Sequence, residues 1–321
     1  MSELLKSIDA RTRLAGTNKL EILLFSLGVD GRTGRRETFG INVFKVREVM
    51  RTPAITSAPE MPSAVEGMVS LRGVLVPVVD LAKYAGISCE TPREIMIVTE
   101  YNGHTQGFLV EAVDTILRLD WSMMRVPPDM LSGNLGGLVT AVTELEGNRL
   151  VMMLDVEKVL SETSRYDDEF LFKDIEQQFQ RDVTVFFADD SSVARKQITR
   201  ALDAMGVRHV GAVNGRVAWD ELRKVAAHAD ATGKRVRDLV PIVLTDVEMP
   251  EMDGYILTRM IKSDPRFDGV KVVMHSSLSG MSNQQLGHSV GVDEYVPKFE
   301  PQRLCETLGR LIRNSRHETA A

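Results

Sequence analysis

Five side chains in the second half of the sequence have types and spacing that could do chemistry together: the pair Asp189–Asp190, then Asp246, Ser276 and Lys298. Each closes or directly follows an apolar run, namely VTVFFA (183–188), VPIVLTD (240–246), VKVVMHS (270–276) and EYVP (294–297). Three carboxylates brought together repel one another, which raises their pKa values and loosens the fold until a cation arrives. Mg²⁺ suits such a site, because it takes oxygen ligands, keeps several waters and bridges to phosphate. It would neutralise the cluster and orient a phosphoryl donor. Asp246 could then act as a carboxylate nucleophile and form an acyl phosphate. Lys298 and the Ser276 hydroxyl could hold the phosphoryl oxygens, one by a charge-assisted hydrogen bond and one by a neutral bond. Taken singly, each residue has a plainer reading: an Asp at a strand end is often a helix N-cap, a Ser a turn residue, a Lys a solvated charge. Their shared position at strand ends, in order, favours the chemical reading.

Those side chains need a frame that gathers strand ends. With VRHVGAV (207–213), the apolar runs make five strands, and amphipathic stretches lie between them. Val193, Ile198, Ala201, Leu202 and Met205 mark a first helix closed by Gly206; Ala218, Leu222 and Val225 mark a second; Ile256, Met260 and Ile261 a third. Pro301, then Leu304, Leu308, Leu311 and Ile312, mark the last. This alternation predicts an α/β doubly wound, five-stranded parallel sheet with its site at the C-terminal strand ends.

The runs ADDSS (188–192), LTDVEMPEMDGY (244–255), VVMHSS (272–277) and EYVPK (294–298) resemble the response-regulator receiver family, a flavodoxin-like fold, over roughly 182–314. The resemblance implies Mg²⁺ bound by Asp190, Asp246 and the backbone carbonyl of Glu248, with Asp189 acting through water. It makes Asp246 the phosphoacceptor, Ser276 the switch hydroxyl and Tyr295 the switch aromatic, and it has Met249–Pro250 and Gly254 shape the loop after the acceptor. The sequence departs from the family in three places. Phe299 stands where proline usually follows the lysine with a cis bond, a geometry that costs a non-proline residue about 2.5–4 kcal/mol. AHADATGKRVRD (227–238) lengthens the connection before the third strand and reads as an exposed loop or extended helix. Glu248 and Leu278 flank the path of a hydrolytic water.

The first half reads differently. LEILLFSL (20–27), ETFGIN (37–42), VLVPVVD (74–80), REIMIVTE (93–100), HTQGFLVEAV (104–113), TILRL (115–119), GLVTAVTEL (137–145) and RLVMMLD (149–155) are strand signals. Asn102–Gly103 and Gly147–Asn148 are turn signals. One unit occurs twice, strand, turn, strand ending in Asp, short helix: SLRGVLVPVVDLAKYAG (70–86) and TELEGNRLVMMLDVEKVL (143–160). The repeat suggests two small β-barrels, with Asp80 and Asp155 as helix N-caps. No catalytic constellation stands out here, and His104 sits beside a turn, so a binding module is expected. Arg72, between Leu71 and Gly73, is a candidate contact, although a lone turn arginine is commonly just solvated. Met61, Met68, Met123 and Met124 read as core fillers before they read as an adaptable surface.

TFGINVFKVREVM (38–50) and PEMPSAVEGMVSLRGVLVPVVDL (59–81) resemble the CheW-type coupling domain, over roughly 15–162. That family has two SH3-like barrels and links chemoreceptor tips to the CheA histidine kinase. The resemblance implies that Arg72 lies at the receptor-binding surface near Glu66 and Gly67. A CheW-like domain joined to a receiver is the CheV-type arrangement. It implies a chemotaxis scaffold whose coupling is modulated by phosphorylation of Asp246, with the kinase phosphohistidine as donor, and no dedicated turnover enzyme. The alternative is a phosphate sink that drains phosphoryl groups from the kinase. The expected organisation is a coupling domain over 1–162 with an N-terminal helix, a helical linker over 163–181, a receiver over 182–316 and a tail over 317–321.

Whole-chain properties agree with this reading. The 321 residues are long for one core, and the net charge of −6, shared evenly between the halves, argues against a nucleic-acid binder. No DNA-binding domain is expected after the last helix. Two distant cysteines, Cys89 and Cys305, argue against a disulfide framework and for a reducing cytoplasm. MSELLKSIDA has no signal-peptide core, and no run of about 18 apolar residues would span a membrane. Recruitment to membrane-associated receptor arrays would come through partners.

Overall fold

The computed structural model describes residues 19–57, 59–88, 91–101, 104–127, 137–163, 175, 177, 179, 182–276, 289–298 and 300–320. The expected N-terminal helix, the Asn102–Gly103 turn, Leu278, Phe299 and most of the 163–181 linker lie outside the described residues. Two compact units result, one within Leu20–Tyr166 and one within Asp167–Ala321.

Among the described residues the first unit is built of β-strands with a few short helical segments. Its elements are β1 (Lys19–Val29), β2 (Arg36–Asn42), β3 (Val46–Arg51), β4 (Val65–Leu71), β5 (Val74–Asp80), α1 (Leu81–Tyr84), β6 (Ile95–Tyr101), β7 (His104–Val110), β8 (Ala112–Asp120), β9 (Val139–Leu145), β10 (Arg149–Leu154) and α2 (Val156–Thr163). They form two five-stranded sheets, β8-β1-β2-β10-β9 and β3-β6-β7-β5-β4. The duplication read from sequence extends to hydrogen bonding. Each sheet sets a hairpin (β9–β10 or β4–β5) parallel to the second strand of another hairpin, β10 on β2 and β5 on β7. Each also closes in the same way, since the chain leaving edge strand β3 bridges β4 at Thr56–Met68, and the chain leaving β8 bridges β9 at Arg125–Val142. Asp80 and Asp155 cap α1 and α2 by accepting from the N–H groups of Lys83 and Lys158 at 3.1 and 3.0 Å.

Alternation along β1 explains its unbroken apolar run. Leu20, Ile22 and Leu24 enter the core of their own sheet, while Leu23, Phe25 and Leu27 enter a second core shared with Val79, Ile97 and Phe108 of the other sheet. The stretch 104–113, read as one strand, is two. Glu111 breaks it by bonding the Ser26 carbonyl through its N–H and by accepting from Ser26 Oγ and Arg36 Nη2.

The second unit contains β11 (Thr184–Ala188), α3 (Ser192–Met205), β12 (Arg208–Ala212), α4 (Gly215–Thr232), α5 (Val236–Leu239), β13 (Ile242–Thr245), α6 (Gly254–Ser263), β14 (Lys271–Ser276), β15 (Glu294–Pro297) and α7 (Pro301–Ala320). All five strands are parallel in the order β12-β11-β13-β14-β15. The order reverses direction at β11, which puts the switch-point crevice between β11 and β13. One face of the sheet packs on α3 and α7, the other on α4 and α6. The long connection before β13 extends α4 to Thr232, where left-handed Gly233 (φ +65°) ends it. Helix α7 runs on to Ala320, through residues expected to be a tail.

The helix expected over 163–181 is absent at Ile175, Gln177 and Phe179, which lie in irregular backbone. The Phe179 N–H bonds the Met205 carbonyl at 3.0 Å, and its ring is buried in the α3/α7 core with Ile175 packed against that core. Gly206 makes room, since a Cβ there would stand 2.1 Å from the Phe179 carbonyl oxygen. Core contacts outside a helical repeat thus set the backbone here.

Cys305 sits in the same core, and burial pushes its thiol from an ordinary value of 9 up to about 12. The folded chain holds this proton where the unfolded chain releases it, so the associated stability is complete below about pH 9 and is lost as pH rises toward 12. The urea midpoint of the wild type should therefore fall more steeply across that window than that of Cys305→Ala. Equal slopes would show that the thiol contributes nothing.

Candidate metal and acceptor site

Backbone ladders that run one residue past the strands place the site. Ala188 pairs with Thr245, and beyond that pair the Asp246 N–H bonds the Ala188 carbonyl at 2.8 Å while the Asp189 N–H bonds Ala212 at 3.2 Å. On the other side Ser276 pairs with Pro297, and the Lys298 N–H bonds the Ser276 carbonyl at 3.0 Å. The C-terminal ends of β11, β13, β14 and β15 therefore bring Asp189, Asp246, Ser276 and Lys298 together.

One oxygen of each of two carboxylates is held by backbone. Asp189 Oδ1 accepts from the Ser191 N–H at 2.9 Å, and Asp246 Oδ1 from the Val247 N–H at 2.7 Å. Both Oδ2 atoms turn to Lys298, whose Nζ lies 2.9 Å from each. Lys298 is 1% exposed, Asp189 0% and Asp246 6%, so these charges meet almost without water. Asp190, half-buried, completes a set of three carboxylates whose ligand oxygens lie within 4.8 Å of one another. With one ammonium among three carboxylates, the cluster retains two negative charges. Buried like charges at this range are unfavourable unless a further cation is bound.

Ser276 is buried and shares a side-chain hydrogen bond with Tyr295. Burial pushes the Tyr295 phenol well above its usual range; the charges of Asp246 and Glu248 push it the same way, and the Ser276 bond and Lys298 oppose them. Glu248 is half-buried in the loop after Asp246.

That loop explains the MPEMDG run. Met249 and Met252 anchor it in the α4/α6 core, Glu251 takes a left-handed turn (φ +65°), and Asp253 caps α6 by accepting from the Ile256 N–H at 2.7 Å. Gly254 lets the helix start abut the acceptor, because a Cβ there would lie 2.0 Å from the Asp246 carbonyl oxygen. The Thr245 hydroxyl, which sequence reasoning passed over inside an apolar run, donates to that same carbonyl at 2.9 Å. Gly254→Ala should thus cost about 3 kcal/mol in urea unfolding through forced backbone movement. Gly233→Ala, with nothing within 4 Å and only its left-handed φ to strain, should cost about 1 kcal/mol. Equal losses would show that contact with the acceptor strand is not what requires Gly254.

In the first unit, Arg72 and Gly73 are the two central residues of the β4–β5 hairpin, at φ +52° and +84°. This is the primed turn that matches strand twist. The Arg72 side chain is 72% exposed and reaches Glu48 Oε2 at 2.8 Å, beside exposed Val74 and Leu75. Glu66 is half-buried and paired with Lys83. Gly67 is buried at a bulge (φ +146°), where a Cβ would stand 2.3 Å from the Thr56 carbonyl oxygen, so barrel closure requires this glycine.

Residues 24–164 match the CheW-like domain family, and residues 185–309 match the response regulator receiver domain family. Chemotaxis protein CheV3 of Helicobacter pylori is 30% identical over 279 residues, which span 85% of this chain and 88% of that protein. The chain belongs to the CheV family. CheV1 of the same organism is 27% identical over 97% of this chain and 99% of its own length. Chemotaxis protein CheW of Klebsiella aerogenes is 31% identical over 154 residues, 47% of this chain and 87% of that protein. This CheV-family chain therefore joins a CheW-like half, which carries Arg72, to a receiver half, which carries the carboxylate cluster. Among the described residues no helix is long and apolar enough to cross a membrane.

Receiver domains of this kind imply a divalent cation, and the donors present fit one. They are hard carboxylate oxygens, close together, with a residual charge of two that Mg²⁺ would cancel.

Proposed function

We propose that this CheV-family chain couples chemoreceptors to a CheA-type histidine kinase and that phosphorylation of Asp246 modulates the coupling. The observation that carries the reading is the buried Asp189–Asp190–Asp246 cluster with Lys298 spanning two of its members, in a chain whose other half is CheW-like. A carboxylate oxygen of Asp246 attacks the phosphorus of a kinase phosphohistidine. The O–P bond forms as the P–N bond breaks, and the electron pair leaves with the imidazole nitrogen. Lys298, already at the Asp246 carboxylate, is placed to pair with the incoming phosphoryl oxygens. Mg²⁺ held by Asp189, Asp190, Asp246 and the Glu248 carbonyl would offset the negative charge that the phosphoryl group brings. Ser276 would turn toward the phosphoryl group, and Tyr295, bonded to Ser276, would change its surroundings in response. Arg72, Val74 and Leu75 offer the CheW-like half an exposed face for the receptor tip, whereas Glu66 and buried Gly67, expected beside Arg72, lie at the far end of β4 in the same hairpin.

Co-sedimentation with reconstituted receptor–kinase assemblies tests the coupling. Bound wild type should alter kinase output differently with and without phosphorylation, whereas Asp246→Asn should give one output under both conditions. Arg72→Glu should weaken sedimentation about tenfold, the loss of one hot-spot contact. Identical behaviour of wild type and Asp246→Asn would remove the proposed regulation. Undiminished binding of Arg72→Glu would remove the proposed surface.

A further inference from the structure

We infer that Arg195 is a positioning residue for the acidic pair, setting the geometry in which Asp189 and Asp190 meet a divalent cation. The inference rests on the metal-binding reading above but concerns a residue outside the carboxylate set. Arg195 is the fourth residue of α3, its backbone locked there by an N–H bond to the Ser191 carbonyl at 3.0 Å. Its side chain folds back over the helix start, and Nη1 donates to the carbonyl oxygens of both Asp189 and Asp190, each at 2.8 Å. Among the described residues its guanidinium makes no ion pair, and its hydrogen bonds go to the backbone carbonyls of the two acidic residues instead of their carboxylates. One nitrogen thus ties two consecutive peptide planes, and with them the Cα–Cβ directions of both acidic residues. The Ser191 N–H bond to Asp189 Oδ1 fixes the same turn from the other side.

Electrostatics alone does not account for this placement. A cation in the first turn opposes the helix dipole, and near the cluster it repels an incoming metal ion. The two explanations therefore predict opposite signs. If charge were the whole effect, removing Arg195 would tighten Mg²⁺ binding. If positioning dominates, removal frees the two peptides and weakens binding by about tenfold, the usual scale for groups that orient metal ligands.

The test is calorimetric titration of the EDTA-stripped full chain with Mg²⁺, for wild type, Arg195→Met, Arg195→Lys and Asp190→Asn, with thermal melts in EDTA alongside. We expect Arg195→Met to bind Mg²⁺ about tenfold more weakly while melting close to wild type. Unchanged or tighter binding by Arg195→Met would overturn the inference. Should that variant fail to fold, Arg195→Lys decides, because it keeps the charge on a shorter, more flexible stem whose nitrogen does not reach and hold both carbonyls as Nη1 does. Weaker Mg²⁺ binding by it supports positioning, and wild-type binding refutes it. Asp190→Asn separates the two readings: if it binds Mg²⁺ as wild type does, the metal site itself is misassigned, whatever Arg195→Met shows.

Discussion

Asp246→Asn should take no phosphoryl label from a phosphorylated kinase or from acetyl phosphate, under conditions where the wild type is labelled to completion. The carboxamide has the shape of the carboxylate but is not a nucleophile of comparable strength, so the step that forms the acyl phosphate is lost. The fold should survive. The carboxamide oxygen can still accept from the Val247 N–H, and Lys298 keeps its 2.9 Å contact to Asp189. The cluster also falls from two net negative charges to one, which relieves repulsion in the absence of metal. Melting in EDTA should therefore be no lower than wild type, while Mg²⁺ affinity drops because one ligand has lost its charge. Labelling of Asp246→Asn at the wild-type rate would place the acceptor elsewhere.

Lys298→Met should have the largest effect on stability. Methionine preserves most of the buried stem but removes the ammonium between Asp189 and Asp246, leaving three carboxylates within 4.8 Å. Removing one partner of a buried charge pair costs about 3–5 kcal/mol. For a domain of this size that lowers the melting temperature by on the order of 10 °C. The loss relative to wild type should shrink in Mg²⁺, because the variant's extra negative charge binds the cation more tightly, and each tenfold gain in affinity returns about 1.4 kcal/mol. It should shrink again in the double variant Asp246→Asn, Lys298→Met, where less charge is left unpaired. Thermal melts in EDTA and in Mg²⁺ measure both effects. A Lys298→Met protein as stable as wild type in EDTA would show that the ammonium does not hold the cluster together.

The receiver half was legible because its signals coincide. Strands buried on both faces read as unbroken apolar runs, and each run ends on the polar residue that the parallel ladder then places beside its neighbours. The sequence carried no comparable signal for Arg195 or Thr245. An arginine in a first helical turn is ordinarily solvated, and only the fold shows that this one turns back onto two carbonyls. In the CheW-like half the repeated hairpin was readable, but edge strand β3 was not. Its exposed positions include Val49 while Glu48 lies half-buried, so the two-residue alternation is blurred. Gly67 looked like part of a surface motif because its reason is steric, and a clash with a carbonyl that lies 11 positions earlier, at Thr56, has no local signature. The segment around Phe179 has helical composition, yet Ile175 and Phe179 answer to the receiver core instead.

The most direct measurement is phosphotransfer from a labelled CheA-type kinase to the full chain, in Mg²⁺ and in EDTA, with the acyl phosphate trapped by borohydride reduction and the modified residue mapped by mass spectrometry. The expected result is modification at Asp246 alone, formed in Mg²⁺ and suppressed in EDTA. Modification at Asp189 or Asp190, or labelling of Asp246 indifferent to EDTA, would contradict the metal-dependent acceptor site proposed for this chain.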